Sequence, residues 1–206
     1  MRVLVFGAHP DDMEIGMGGT IARHVDVGDE VLMALATIPN NREQRLEEAR
    51  NGSGILGAQL SFLDLAAESL IYDRKAVRQI DQVLGEFSPD LIYTHWDQDS
   101  HQDHNTLSRS VISAARKNRC SVLMYEQTIP GGIVPGGFNN QSYVDISKFI
   151  DIKLNSILAH ESQSAVNGDW WLDGVKGRAM YRGYQINVQY AESFEIVKEI
   201  EVFFRR

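Results

Sequence analysis

Short apolar runs alternate with amphipathic segments along most of the chain. Five of these runs are too short for helices and are typical of buried strands. The predicted strands cover residues 3–6, 31–36, 59–65, 90–94 and 121–126. Segments whose apolar residues recur at helical spacing lie between them, and this alternation indicates a parallel sheet covered by helices on both faces. The pattern therefore predicts an α/β fold with a mainly parallel sheet.

Local signals at their ends mark the predicted helices. Gly28 and Gly57 follow two of them as C-terminal stops, Asp73 can cap a third, and Ser88-Pro89 ends it. The five predicted helices cover residues 15–25, 42–56, Asp73 to 87, about 105–117, and Ser147 to about 160, where Ser147 is the expected cap.

The last third of the chain is less regular. Residues 128–141 are rich in Pro, Gly and Asn, which predicts a long loop over the functional site. Residues 162–180 contain Trp170 and Trp171 between glycines, and we expect a mobile lid or rim there. The stretch 194–204 fits a strand or a helix equally well. No repeat or domain boundary interrupts the chain, so a single domain over residues 1–206 is expected.

Composition narrows the functional class. A net charge of −8 disfavours nucleic acid and anionic membranes as partners, since both attract basic surfaces. The single Cys120 excludes an intramolecular disulfide and a cysteine-based zinc site. No signal-peptide pattern or long apolar run is present, so a soluble, cytoplasmic protein is expected. A homo-oligomer is left open.

The first polar cluster follows the first strand directly. His9, Asp11, Asp12 and Glu14 fall within six positions after residues 3–6, around Pro10. Ligands bind outside the carboxyl ends of strands in open α/β sheets, and imidazole with carboxylate suits zinc. A polar turn with a helix cap would need only one Asp. Because the strand leads into H-P-D-D and not into a glycine-rich fingerprint, a nucleotide-binding module is the weaker reading.

A second polar cluster follows the strand at 90–94. His101, Asp103 and His104 end the segment W-D-Q-D-S-H-Q-D-H, and the two clusters are expected to meet at one sheet edge. The economical ligand set is His9, Asp12 and His104, which leaves a position for water, as catalytic zinc sites do. His24 and His95 are expected only to pack.

Hydrolysis of an amide also needs a proton acceptor and a proton donor. Asp11 stands beside Asp12 without being needed as a ligand, so it is the predicted general base. His101, held cationic by nearby carboxylates, is predicted to stabilise an oxyanion or to protonate the leaving amine. Glu14 is expected to support the site or the substrate, with a buried structural role as the alternative.

These motifs resemble the PIG-L (LmbE-like) family of zinc-dependent N-acetylglucosamine deacetylases, and most closely its bacillithiol-pathway members. The similarity extends over nearly the whole chain. The matching segments are A-H-P-D-D-M-E-I-G at 8–16, R-L-E-E-A at 45–49, I-L-G at 55–57, H-Q-D-H at 101–104, H-E-S-Q at 160–163 and Y-A-E-S-F at 190–194.

The resemblance implies a Rossmann-like fold with one zinc per chain on His9, Asp12 and His104. It implies Asp11 as the base and His101 as the electrophilic partner, supported by Asp103. Arg45 matches a position that holds substrate hydroxyls or acidic groups in bacillithiol-type members. The alternative is that Arg45 is only a surface residue of a helix. His160, Tyr190 and Glu192 match motif positions whose role is left open between function and structure.

The sequence therefore predicts a zinc-dependent hydrolase that removes the acetyl group from a small, soluble N-acetylglucosamine-type conjugate. Fe²⁺ could compete for a site of two histidines and one aspartate. One alternative is a zinc amidase that cleaves a larger thiol- or antibiotic-type conjugate. The other is a non-catalytic carbohydrate- or metal-binding module, for which neither Asp11 nor His101 would be needed.

Overall fold

A computed structural model describes residues 1–63, 65, 70–127, 132, 136–168 and 170–200. Strands and helices alternate over its first two thirds, as the sequence predicts. In chain order the elements are β1 (Arg2–Gly7), α1 (Asp12–Asp26), β2 (Glu30–Leu35), α2 (Arg42–Leu56), β3 (Gln59–Phe62), α3 (Arg74–Phe87), β4 (Leu91–His95), α4 (Gln102–Ala115), β5 (Ser121–Tyr125), β6 (Ser142–Asp145), α5 (Ile150–Leu158), α6 (Glu161–Asn167), α7 (Trp170–Gln185) and β7 (Ala191–Lys198).

The strands of the described residues form one sheet in the order β3-β2-β1-β4-β5-β7-β6. β1 to β5 are parallel, whereas β7 pairs antiparallel with both β5 and β6. The chain leaves β1 towards β2 on one side and returns to β4 on the other. The carboxyl ends of β1 and β4 therefore flank the switch point where doubly wound sheets bind ligands. The predicted mainly parallel, Rossmann-like α/β fold is confirmed.

The core consists of two apolar layers on opposite faces of the sheet. Side chains alternate across a strand, so Leu4 and Phe6 of β1 face one layer while Val3 and Val5 face the other. The first layer contains apolar residues of α3 and α4, and the second contains those of α1 and α2. α5 packs against α1 and α2. No helix of the described residues is long and apolar enough to cross a membrane.

Several predicted boundaries need correction. The third strand ends at Phe62 and α4 begins three residues earlier than expected, at Gln102. Ser147 does not cap α5, because its hydroxyl donates to Asp145 Oδ1 at 2.6 Å and the residue before the helix is Phe149. The undecided stretch at 194–204 is a strand, β7, as far as Lys198, and residues 201–206 lie outside the described part.

The stretch at 162–180, expected to be a mobile lid or rim, consists mostly of two helices, α6 and α7. Trp171 and Val175 of α7 pack against Ile15 and Ile157, and this burial stabilises a helix in a glycine-rich sequence. Gly168 separates the two helices at a φ of 71°. Of the predicted loop at 128–141, residues 132 and 136–141 have no regular structure, and the rest lies outside the described residues.

Candidate active site

The loop after β1 brings two carboxylates to the switch point in a constrained conformation. Asp11 precedes α1 with a φ of 91°, in the left-handed region that non-glycine residues rarely adopt. The turn is closed by the Asp12 amide, which donates to the His9 carbonyl at 3.3 Å, and by the Ile15 amide, which donates to the Asp11 carbonyl at 2.9 Å. Such backbone strain is concentrated at functional sites.

The Asp12 carboxylate is the hub of the site and is 3% exposed. Its Oδ2 accepts a hydrogen bond from the His9 amide at 2.7 Å and lies 3.2 Å from His95 Nε2. Its Oδ1 accepts one from Gln127 Nε2 at 2.7 Å and lies 3.4 Å from His104 Nε2. Burial alone would raise the pKa of Asp12, but His104 and His95 hold it well below its usual value. The carboxylate is therefore ionised.

His9 and His104 each lie between Asp12 and a second carboxylate. His9 Nε2 donates to Asp103 Oδ2 at 2.9 Å, and its Nδ1 lies 3.5 Å from Asp12 Oδ2. His104 Nδ1 lies 3.1 Å from Asp99 Oδ2. Burial alone would lower the pKa of both imidazoles, but the carboxylates raise it to about 9 for His9 and about 10 for His104.

This donor set fits a metal ion. Histidine ligands commonly hold a carboxylate on the nitrogen that faces away from the metal, as Asp103 and Asp99 do here. His104 is completely buried, and its Nε2, which lies 3.4 Å from Asp12 Oδ1, forms no well-aligned hydrogen bond within the described part of the chain. A buried polar atom without a partner is costly unless a ligand completes it. A His/Asp metal site is therefore compatible with the side chains as they stand.

Two overlapping groups could supply the ligands. One comprises His9, His101 and His104, and the other comprises Asp12, His95 and His104. The ligand set predicted from the sequence takes His9 from the first group, Asp12 from the second, and the shared residue His104. His95 is less available, since its Nε2 lies 3.0 Å from the Ala8 amide nitrogen and accepts its hydrogen bond. The sequence analysis missed that His95 contacts this site, although it expected a packed side chain.

The predicted pairing of His101 with Asp103 differs from the structure. The Asp103 carboxylate binds His9, and only the Asp103 amide contacts His101, donating to its Nδ1 at 3.2 Å. His101 is also not held cationic, because burial, His104 and His9 together lower its pKa. An imidazole whose Nδ1 accepts a hydrogen bond carries its proton on Nε2. His101 is thus arranged as a neutral hydrogen-bond donor.

Asp11 and Arg45 lie together beside the metal-type cluster. Arg45 Nη2 donates to the Pro10 carbonyl at 2.6 Å and lies 3.6 Å from Asp11 Oδ2. Arg45 is 5% exposed, so it is not a surface helix residue. Burial raises the pKa of Asp11 to about 7, with Asp12 adding to the shift and His160 and Arg45 opposing it.

Glu14 occupies a structural position. Its Oε1 lies 3.2 Å from His160 Nε2, and both side chains are almost completely buried. Glu14 does not line the cavity at the switch point. The structural alternative for this residue is therefore favoured over a substrate contact.

A cavity of about 280 Å³ opens at the switch point. All of the site residues predicted from the sequence line it, except Asp103 and Glu14. Gln127, Gln163, Asn167 and Trp171 also line it; the sequence analysis placed Trp171 in the expected lid or rim and Gln163 in the H-E-S-Q segment, and did not single out Gln127 or Asn167. Gln127 follows β5, where no cluster of ionisable residues drew attention to it. Trp170 is 61% exposed and is not among the lining residues.

Glu192 and Lys153 hold a break in α1, the helix that carries Asp12. The helix departs from helical geometry at Met17, which has a φ of −150°. The Ile15 carbonyl accepts from Lys153 Nζ at 2.9 Å and from Arg178 Nη2 at 2.8 Å. Beyond the break, the Glu192 carboxylate accepts from the amides of Gly19 at 3.1 Å and Thr20 at 2.7 Å.

Lys153 and Glu192 also form a buried ion pair. The pair thus provides hydrogen-bond partners on both sides of the break. A structural role therefore explains why Glu192 matches a motif position. Tyr190 is structural too, since it packs beside Ile146 and its amide donates to Ser147 Oγ.

Comparison with known proteins relates the chain to deacetylases. The family model described as PIG-L, GlcNAc-PI de-N-acetylase, matches residues 4–115. The diacetylchitobiose deacetylase of Thermococcus kodakarensis is 28% identical, with 97% of this chain and 84% of the relative covered. The probable N-acetyl-alpha-D-glucosaminyl L-malate deacetylase 2 of Bacillus subtilis is 26% identical, with 79% of this chain and 83% of the relative covered.

Solved structures show the same fold. The conserved protein TT1542 from Thermus thermophilus superposes with a TM-score of 0.84 at 26% identity, covering 99% of this chain and 98% of that one. The 4-carboxy-2-hydroxymuconate hydratase of Pseudomonas putida superposes with a TM-score of 0.83 at 19% identity, and 98% of each chain is covered. At that identity the hydratase shows a shared fold alone.

Fold and site together define an α/β protein with a His/Asp metal-type centre at the topological switch point. The family match covers slightly more than half of the 206 residues. The chain belongs to the PIG-L family, and the curated relatives named above are deacetylases.

The Lys153–Glu192 pair leads to a stability prediction. Lys153→Met leaves the Glu192 carboxylate buried without its cation, which should lower the free energy of unfolding by about 3–5 kcal/mol. Lys176→Met on exposed α7 surface is the control and should change it by less than about 0.5 kcal/mol. Urea unfolding followed by circular dichroism measures both. Equal stability of the two variants would show that the pair does not support the helix break.

Proposed function

We propose that the chain is a zinc-dependent hydrolase that removes the N-acetyl group from a small N-acetylglucosamine-type conjugate. The observation that carries this proposal is the convergence of His9, Asp12 and His104 with Asp11 and His101 on one cavity. Binding of a metal alone would not call for a buried carboxylate beside the ligands or a neutral imidazole donor facing the same space. Membership of a family whose matched relatives are deacetylases supports the same chemistry.

His9, Asp12 and His104 would hold the zinc ion. Each histidine has a carboxylate partner on its other nitrogen, and Asp12 lies between the two rings. A bound zinc ion supplies Lewis acidity that polarises a carbonyl and lowers the pKa of water. Fe²⁺ fits the same donor types, and the identity of the metal rests on the chemistry of histidine and aspartate ligands.

Asp11 would transfer the proton of the reaction, and His101 would stabilise the charge that develops. Asp11 accepts a proton from the attacking water, whose oxygen forms the new bond to the acetyl carbon. His101 donates a hydrogen bond from Nε2 to the former carbonyl oxygen, where negative charge develops. The C–N bond then breaks, and the proton held by Asp11 passes to the departing amine. The products are acetate and a free amine. Burial keeps Asp11 a stronger proton acceptor than an exposed aspartate.

Arg45 would select the group attached to the sugar. It lines the cavity as a buried cation and its Nε has no hydrogen-bond partner among the described residues. A guanidinium suits a carboxylate, which it can bind with two hydrogen bonds. The Bacillus subtilis relative is named as a probable N-acetyl-alpha-D-glucosaminyl L-malate deacetylase, and we extend an acidic aglycone of this kind to the present chain. A cavity of about 280 Å³ suits such a small conjugate.

The role of Asp11 is tested by Asp11→Asn. The amide cannot accept the proton, so kcat should fall on the order of 10²-fold or more while bound zinc is retained. Acetate release and metal content per chain are measured on the same preparation. Asp26→Asn, at the exposed far end of α1, is the matched control and should behave as wild type. Full activity of Asp11→Asn with zinc bound would move the base to another group.

The substrate class is tested with soluble N-acetylglucosaminides that carry neutral or acidic aglycones. Zinc-dependent release of both acetate and amine is expected, with the acidic conjugate favoured. Arg45→Ala should raise KM at least about tenfold more for the acidic than for the neutral conjugate. Because Arg45 also binds the Pro10 carbonyl, a purely structural role would impair both substrates equally. Turnover of a non-sugar amide alone would contradict the proposed function.

A further inference from the structure

An acetamide presents two polar groups, and the residues discussed so far serve only one of them. In the proposed function, His101 and the metal-type cluster would face the carbonyl oxygen. The amide N–H is a hydrogen-bond donor, and a buried donor without an acceptor costs binding energy. A site built for N-acetyl groups should therefore offer an acceptor close to Asp12 and His104.

Gln127 is the residue placed to provide it. It is 6% exposed, lines the cavity and is fixed by one hydrogen bond, from its Nε2 to Asp12 Oδ1 at 2.7 Å. Since that oxygen also lies 3.4 Å from His104 Nε2, the amide group of Gln127 is adjacent to the centre of the site.

The orientation of the Gln127 side chain follows from its partner. A carboxylate oxygen only accepts hydrogen bonds, so the amide nitrogen must face Asp12 and the amide oxygen must face away. That oxygen, Oε1, is buried and has no hydrogen-bond partner in the described part of the chain. Buried side-chain acceptors are generally satisfied, which makes an isolated one beside a cavity a candidate for ligand contact.

We propose that Gln127 is a substrate-orienting residue whose Oε1 accepts the N–H of the scissile acetamide while its Nε2 remains bound to Asp12. This inference rests on the proposed function and adds a determinant of specificity to it. The hydrogen bond from the substrate N–H to Oε1, together with the one from Nε2 to Asp12, would fix the rotation of the acetamido group, so that its carbonyl faces His101. They would also make the site selective for secondary amides, since a tertiary amide leaves Oε1 without its donor.

The test compares zinc-loaded wild type with Gln127→Leu on two substrates. One is N-acetylglucosaminyl malate, and the other is its analogue with a methyl group on the amide nitrogen. Wild type should favour the N–H substrate on the order of 10²-fold in kcat/KM, and Gln127→Leu should reduce this preference at least about tenfold. Any loss caused by a shifted Asp12 affects both substrates and cancels in the ratio. Metal content is measured in parallel.

Gln163→Leu is the matched control. It removes a second glutamine from the lining of the same cavity, but one whose Nε2 contacts Ser162 Oγ and not the metal-type cluster. The preference for the N–H substrate should persist in this variant. An equal preference in wild type and Gln127→Leu would overturn the assignment of Gln127. Absence of acetate release by wild type from every N-acetyl sugar would overturn the proposed function, and the role of Gln127 with it.

Discussion

The burial of one ionised carboxylate, Asp12, is the constraint on which the site depends. A carboxylate withdrawn from water is strongly unfavourable unless several donors or cations surround it. Its donors come from the loop after β1, the start of α4 and the segment after β5, and the end of β4 places His95 Nε2 3.2 Å from it. Four separate parts of the chain therefore meet at Asp12, and the parallel sheet is the scaffold that allows them to do so.

The last third of the chain supports this arrangement through contacts with α1. Lys153 of α5, Arg178 of α7 and Glu192 of β7 supply the hydrogen bonds that α1 lacks where it breaks at Met17. The break lies within the same helix that begins with Asp12. Residues that look remote from the chemistry in sequence are thus bound directly to the helix that presents it.

Sequence reasoning was most successful where a physical signal is local. Short apolar runs and terminal glycines identified most strands and helices, and the H-P-D-D segment identified the candidate site. It missed His95 and Gln127, because their importance lies in contacts with Ala8 and Asp12 that no spacing reveals. It assigned Asp103 to its sequence neighbour His101, whereas the fold places its carboxylate against His9. The helix α7 was missed because the packing of Trp171 and Val175 outweighs its unfavourable glycines.

The fold alone does not determine the reaction, since a hydratase shares it. The reaction must therefore depend on how this site binds its metal. The most direct measurement is anomalous X-ray scattering at the zinc absorption edge from crystals of the zinc-loaded protein. We expect one peak per chain, which marks a zinc ion coordinated by His9, Asp12 and His104, with Asp11 and His101 nearby but not coordinating. A zinc ion coordinated by His95 or His101 in place of one of these ligands, or the absence of any peak, would contradict the proposed site.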